Sequence, residues 1–190
     1  MEGILEAKSA RWAKRISLAE ALSPGSSLVT LTLRLPAALR VSELWRDRGR
    51  VLFDALAARA ENAGLAPLSR EFRQSADGPE GYLVVPARAR RAKELALDFE
   101  EGEDWGALVD ADIMGSGGSV YGREELGLEP RSCLVCGAQG SLCAVEKRHS
   151  TEEISARAEA LWKRFCDKNA AEAGSDHRGS AGMQGGAEPR

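Results

Sequence analysis

Apolar and polar positions alternate along residues 29–35, with Val29, Leu31, Leu33 and Leu35 set against Thr30, Thr32 and Arg34. That two-residue period predicts a strand with one buried and one wet face, ended by Pro36. The same period returns at residues 108–114, where Val109, Ala111 and Ile113 face a core and Asp110 and Asp112 project together on the opposite side. A turn at residues 77–81 leads into a third, apolar strand at residues 82–85, closed by Pro86. Between these the period lengthens to that of helices. Residues 4–22 are rich in alanine and charge and stop at Ser23, Pro24 and Gly25. Ser42 caps a helix reaching Asn62, with Leu44, Val51, Leu52, Ala55, Leu56 and Arg59 near helical spacing, Gly49 weakening its middle and Gly64 as its stop. Residues 87–97 predict a basic helix running into an acidic stretch at 98–104. After Ser150, acids in a first turn open a last helix whose Ile154, Ala158, Leu161, Trp162 and Phe165 form a docking stripe, with Cys166 packed at its end.

These elements predict an α+β fold: one domain over residues 1–169, a mixed β-sheet with flanking helices, and a Cys/His-rich knuckle near the C-terminal helix. Residues 170–190 carry hardly an apolar anchor and are expected to be a disordered tail, which includes His177. No internal repeat is visible.

Composition narrows the function classes. The 190 residues are 43% hydrophobic and 29% charged, ordinary for a soluble globular domain. A net charge of -3 argues against a general nucleic-acid binder, which needs a basic excess to neutralise phosphates. No apolar run is long enough for a membrane span, and the N-terminus lacks a signal-peptide core, so a cytoplasmic location is expected. In that compartment the four cysteines read as free thiols or metal ligands before disulfides.

The chemistry is concentrated between residues 110 and 149. Two carboxylates side by side on one strand face repel unless a cation sits between them, and Mg2+ takes one or two carboxylates plus phosphate oxygens. Asp110 and Asp112 thus outline a phosphoryl- or nucleotidyl-transfer site, against the plainer reading of two solvent-facing charges on an edge strand. The glycine turn at residues 115–118 reads as a hairpin loop rather than a phosphate cradle. Cys133, Cys136, Cys143 and His149 form a C-x2-C-x6-C-x5-H set that suits tetrahedral Zn2+. Buried structural thiols, a redox C-x2-C pair and a disulfide are its alternatives. Arg123, Arg131, Lys147 and Arg148 surround the set as candidate phosphate clamps. His149 fits a zinc ligand, a phosphate contact or a general base equally well.

Residues 106–112, the segment 131–136, Cys143 and His149, with the turn at 78–81 and the acidic run at 98–101 upstream, resemble the signature of the apo-citrate lyase phosphoribosyl-dephospho-CoA transferases, the citrate lyase holo-acyl-carrier-protein synthases. The likeness spans roughly residues 11–165. It implies a nucleotidyltransferase-like enzyme that moves phosphoribosyl-dephospho-CoA from triphosphoribosyl-dephospho-CoA to a serine of the citrate lyase acyl carrier subunit, with loss of pyrophosphate. Asp110 and Asp112 would hold the Mg2+ that bridges the triphosphate, or one would take the serine proton. Arg131, Lys147 and Arg148 would offset charge on the leaving group. Ala107, Ser132 and Val145 depart from the family pattern at candidate phosphate contacts. Acyl carrier proteins are acidic, which gives the basic positions Arg88, Arg90, Arg91 and Lys93 a complementary partner. A zinc-stabilised binding module without transferase activity is the reading from a different class, and a nucleic-acid-binding knuckle is the least supported.

Overall fold

In a computed structural model that describes residues 2–176, the alternating segment becomes β1 (Ser27–Leu33), the centre of a five-stranded sheet. Helix α1 (Glu2–Glu20) precedes it; α2 (Ala37–Arg40) and α3 (Glu43–Asn62) follow. Next come the hairpin of β2 (Ser69–Ser75) and β3 (Gly78–Val85), helix α4 (Ala89–Glu101), then β4 (Val109–Gly115) and the short β5 (Val120–Tyr121). Helices α5 (Gly140–Val145) and α6 (Thr151–Asp176) are the last elements among the described residues. The strand order is β2-β3-β1-β4-β5 and all pairs are antiparallel, so the α+β fold is built on a more regular sheet than the mixed one expected.

One face of the sheet carries the main core. Val29 and Leu31 of β1, Leu83 of β3 and Ala111 and Ile113 of β4 are fully buried there, together with α3, α4 and α6 side chains such as Leu52, Phe99 and Leu161. The opposite face is not wet, as the alternation had suggested. Helix α1 lies over it, packing Ala19 with Leu28, Tyr82 and Met114, so that even Thr30 is buried. Polarity on that face is retained because α1 brings its own charges. Arg11 pairs with Asp77 at 3.0 Å and with Glu80 at 3.3 Å, and Tyr82 donates to Glu80 at 2.7 Å. Burial and the Glu80 carboxylate push the Tyr82 phenol well above its usual range, so it stays a donor.

The register of α3 differs from the expectation. Its buried stripe is Trp45, Gly49, Leu52, Phe53, Leu56, Ala57 and Ala60, whereas Leu44 is 53% exposed and Val51 faces outward. The reason lies across the interface. A Cβ at Gly49 would stand 2.6 Å from Pro79, and one at Gly81 would stand 2.2 Å from the Phe53 ring. The two glycines let α3 settle on β3, and the mid-helix glycine that weakened the helical pattern is the point of closest approach. The same packing turns the expected 77–81 turn into strand: β3 starts at Gly78, and the hairpin loop is only Ala76 and Asp77. Asp77 is held there by the Arg11 and Arg40 guanidiniums. Strand β2, not anticipated, is a mostly exposed edge with Phe72 as its sole apolar residue, 5.7 Å from Phe53 between ring centroids.

Further boundaries shift for local reasons. Helix α4 continues through the acidic stretch to Glu101 because Phe99 and Glu100 belong to its buried face. Lys93, expected on a basic surface, is 2% exposed, which leaves Arg88, Arg90 and Arg91 outside. The α6 stripe packs as expected, with Ala158, Leu161 and Phe165 buried, but Cys166 is exposed. Helix α6 also runs into the expected tail as far as Asp176, drawn on by the helix formers Ala170, Ala171, Glu172 and Ala173. The rest of that tail, with His177, lies outside the described residues. Among the described residues no helix is long and apolar enough to cross a membrane.

The α3 register is tested by two neighbouring truncations followed by urea unfolding. Trp45→Ala is expected to cost about 3–5 kcal/mol, and Leu44→Ala no more than about 0.5 kcal/mol; equal losses would place the stripe wrongly.

Candidate functional site

Strand β4 positions the aspartates as its alternation requires: Val109, Ala111 and Ile113 are buried in the core, while Asp110 and Asp112 stand half-buried on the α1 side. Across the ladder Asp110 faces Thr32 and Asp112 faces Thr30 of β1. Each carboxylate meets an arginine from a different part of the chain. Arg15 of α1 donates to Asp112 Oδ2 at 2.9 Å, and Arg131 donates to Asp110 Oδ1. Only one oxygen of each carboxylate is engaged in these pairs.

Arg131 also donates to Glu100 at 2.6 Å. Glu100 Oε1 in turn accepts from the Ala111 N–H at 2.5 Å, and Lys93 Nζ donates to the Ala111 carbonyl at 3.1 Å. Strand β5 pairs only with Ile113 and Met114, so α4 side chains close the open edge of β4 beside Ala111. Glu100 and Lys93 are both buried ionisable groups. Burial raises the Glu100 carboxyl, against the lowering pull of Arg131, the Ala111 N–H and Lys93. Burial likewise lowers the Lys93 ammonium, opposed by Glu100.

Two adjoining clefts open nearby, the smaller of them beside Glu100 and Arg131. The larger, about 750 Å3, is lined by Arg34, Cys133, Cys143, Lys147, His149 and Ile154 among others. The second, about 450 Å3, gathers Arg34, Arg123, Arg131 and Arg157 with the carboxylates Glu100, Glu101, Glu103, Asp104 and Glu129. They meet at Arg34, Cys133 and Leu134. Asp110 and Asp112 line neither, and reach the second only through Arg131.

Of the expected clamps, Arg131 and Lys147 are the best placed. Lys147 lies in the larger cleft, in a left-handed turn (φ 49°). Arg123 lines the second cleft but is held by Glu101 at 2.5 Å and the Glu129 carbonyl at 2.8 Å. Arg148 pairs with Glu146 at the surface, outside both clefts. Sequence reasoning missed Arg15, Arg34 and Arg157. Arg34 donates to the Ser132 carbonyl at 2.7 Å and to the Ala107 carbonyl at 3.4 Å, and Arg157 to the Leu134 carbonyl at 3.2 Å. Burial, then repulsion from Arg131, lowers the Arg34 guanidinium. The signal for Arg34 was its place at the end of the alternating strand, in line with Thr30 and Thr32. Two of the departures from the family pattern, Ala107 and Ser132, therefore serve through backbone oxygens, while Val145 is 81% exposed.

Cys133, Cys136, Cys143 and His149 come together with their ligand atoms all within 4.8 Å of one another, the one such group of three or more among the described residues. Cys136 Sγ lies 3.6 Å from Cys143 Sγ and 3.3 Å from His149 Nε2. Burial opposes ionisation of Cys133, yet the N–H groups of Cys136 and Val135 and the neighbouring thiols bring it down to about 7. Burial and the adjacent sulfurs push Cys143 up to about 11.

Compared with known proteins, residues 1–165 match the family model described as apo-citrate lyase phosphoribosyl-dephospho-CoA transferase. Proteins of that name from Citrobacter koseri and Escherichia coli O139:H28 are each 34% identical over 134 residues, covering 70% of this chain and 73% of theirs. One from Shigella flexneri serotype 5b is 33% identical over the same length.

The Glu100 contact with β4 is open to test. Glu100→Ala strands the Ala111 N–H and is expected to cost about 1–3 kcal/mol in urea unfolding, whereas Glu100→Gln, which restores an acceptor, recovers part of it. Because the folded Glu100 pKa is raised, the folded state takes up its proton before the unfolded one. The native protein should therefore gain stability relative to Glu100→Gln as pH falls from that raised value to the ordinary carboxylate range. A pH-independent difference would contradict this.

Proposed function

The chain belongs to the apo-citrate lyase phosphoribosyl-dephospho-CoA transferase family, and we propose that β4 and the two clefts beside it are where it carries out that transfer. The donor is triphosphoribosyl-dephospho-CoA and the acceptor a serine of the citrate lyase acyl carrier subunit. In the reaction the serine hydroxyl gives up its proton as its oxygen bonds to the phosphorus next to the ribose, the bond from that phosphorus to the leaving oxygen breaks, and pyrophosphate departs. Such chemistry asks for alignment and charge neutralisation more than for covalent help.

The observation that carries the reading is the pair Asp110 and Asp112, parallel on one strand face, each with one oxygen engaged by an arginine and one outside those pairs. Two carboxylate oxygens suit Mg2+; Asp110 and Asp112 would hold it, and it would supply positive charge to offset the negative charge of the donor's phosphates. Arg15 and Arg131 hold the carboxylates in place. Arg34, Arg131 and Lys147 line the clefts and would meet phosphate oxygens. Lys147 makes no ion pair among the described residues, so it is free to take one up. The larger cleft has room for the dephospho-CoA part of the donor, with Leu35, Leu134 and Ile154 as its apolar wall. Arg90 and Arg91, shared with Glu94 on the outer side of α4, offer the acidic carrier a basic approach. Reduced thiols in the Cys/His cluster suit a cytoplasmic setting.

The test is the intact mass of a citrate lyase acyl carrier subunit after incubation with the protein, Mg2+ and triphosphoribosyl-dephospho-CoA. The expected result is a gain of one prosthetic group, slowed on the order of 10²-fold or more in Asp110→Asn and in Asp112→Asn. No gain with folded protein would refute the activity, and full rates in both variants would refute the site.

A further inference from the structure

We infer that Cys133, Cys136, Cys143 and His149 form a closed, tetrahedral zinc site whose task is to hold the knuckle, and with it Arg131, against β4. The inference stands on the cluster itself and does not depend on the transferase reading.

Four zinc-type ligand atoms converge from three separate pieces of chain. Cys133 and Cys136 come from a tight loop, Cys143 from α5, and His149 from the segment that leads into α6. The loop is shaped for it: the Cys133 N–H donates to the Ala138 carbonyl at 2.5 Å, and Gly137 (φ 75°) donates back to the Cys133 carbonyl at 3.2 Å. The Val135 N–H points at Cys133 Sγ at 3.5 Å, where it would offset thiolate charge. On the far side, the left-handed turn at Lys147 lets the chain double back, with the Arg148 N–H on the Cys143 carbonyl at 3.1 Å, and this returns His149 to the sulfurs.

The spacing fits the ion. Zinc bonds of about 2.3 Å to sulfur at tetrahedral angles put two sulfurs about 3.8 Å apart, close to the 3.6 Å between Cys136 and Cys143. Three thiolates and an imidazole fill all four positions, which is the pattern of a structural rather than a catalytic zinc. They leave one net negative charge, and Arg34 and Lys147 line the same cleft. The alternatives account for less. Buried apolar thiols do not describe an exposed Cys136. A disulfide would use two of the three sulfurs and give His149 no role.

Arg131 joins the knuckle to β4. Arg131 stands two positions before Cys133; its carbonyl accepts from the Gly140 N–H at 2.9 Å, and its guanidinium holds Glu100 and Asp110. A metal that fixes residues 133–149 therefore also fixes the approach of Arg131.

The experiment is metal analysis of the full chain purified without chelator, followed by Co2+ substitution, with no donor or carrier present. The expected result is one zinc per chain, and on exchange an intense thiolate-to-cobalt charge-transfer band with the visible bands of tetrahedral Co2+. Cys136→Ser and His149→Ala should lower zinc occupancy at limiting metal by about tenfold or more, while far-ultraviolet circular dichroism confirms that the sheet is intact. Should a variant fail to fold, chelator-stripped native protein supplies the same comparison: it should regain stoichiometric zinc on readdition. Absence of zinc together with absence of the cobalt bands would overturn the inference, as would a Cys136–Cys143 disulfide in the purified protein or stoichiometric zinc retained by both variants.

Discussion

The structure depends on how the middle of β4 is held at its open side. Strand β5 is too short to pair with Ala111, and an unpaired buried N–H and carbonyl at that point would each cost free energy comparable to a lost hydrogen bond. Helix α4 supplies both partners, Glu100 for the N–H and Lys93 for the carbonyl. Two buried ions are costly on their own. They are tolerated because each is hydrogen-bonded to the strand, and because Arg131 brings a third charge to Glu100 and extends the chain of contacts to Asp110. Arg131 thus ties Glu100, which closes the sheet edge, to the first aspartate, Asp110.

This arrangement sets the order of layers. The apolar side of the sheet is filled by α3, α4 and α6, and the polar side is roofed by α1, whose arginines match the acidic residues beneath: Arg11 with Asp77 and Glu80, Arg15 with Asp112. The second cleft lies beside Glu100 and Arg131, and the larger one adjoins it at Arg34, Cys133 and Leu134. Four arginines and one lysine converge there from β1's end, the segment after β5, α6 and the Cys/His region. The carboxylates of the second cleft, Glu100, Glu101, Glu103, Asp104 and Glu129, share its lining with these cations, whereas Arg34 and Lys147 line the larger cleft with no carboxylate among its described lining residues.

The sequence told more about β4 than about anything else. A strict two-residue period over residues 109–113, with aspartate on one side and Val, Ala and Ile on the other, leaves a single orientation for the strand, and the spacing of three cysteines and a histidine showed that they could meet. The rest depended on contacts distant in sequence. The α3 stripe could not be phased because its glycine, Gly49, is explained only by Pro79 of β3 and its Phe53 only by Gly81 of β3. Strand β2 has one apolar residue and owes its existence to β3's backbone. Lys93 looked like surface charge because its partner, a backbone carbonyl in β4, has no signature in side chains. Arg34 and Arg157 were overlooked for the same reason, since both are anchored on carbonyl oxygens.

Arg131 connects the Cys/His region to the aspartate strand, its carbonyl accepting from Gly140 and its guanidinium pairing with Asp110. The most direct measurement is a double-mutant cycle of Arg131→Met and Asp110→Ala, followed by urea unfolding. The account predicts a coupling of about 1–3 kcal/mol between the two positions, and effects that add to within about 0.5 kcal/mol would contradict it.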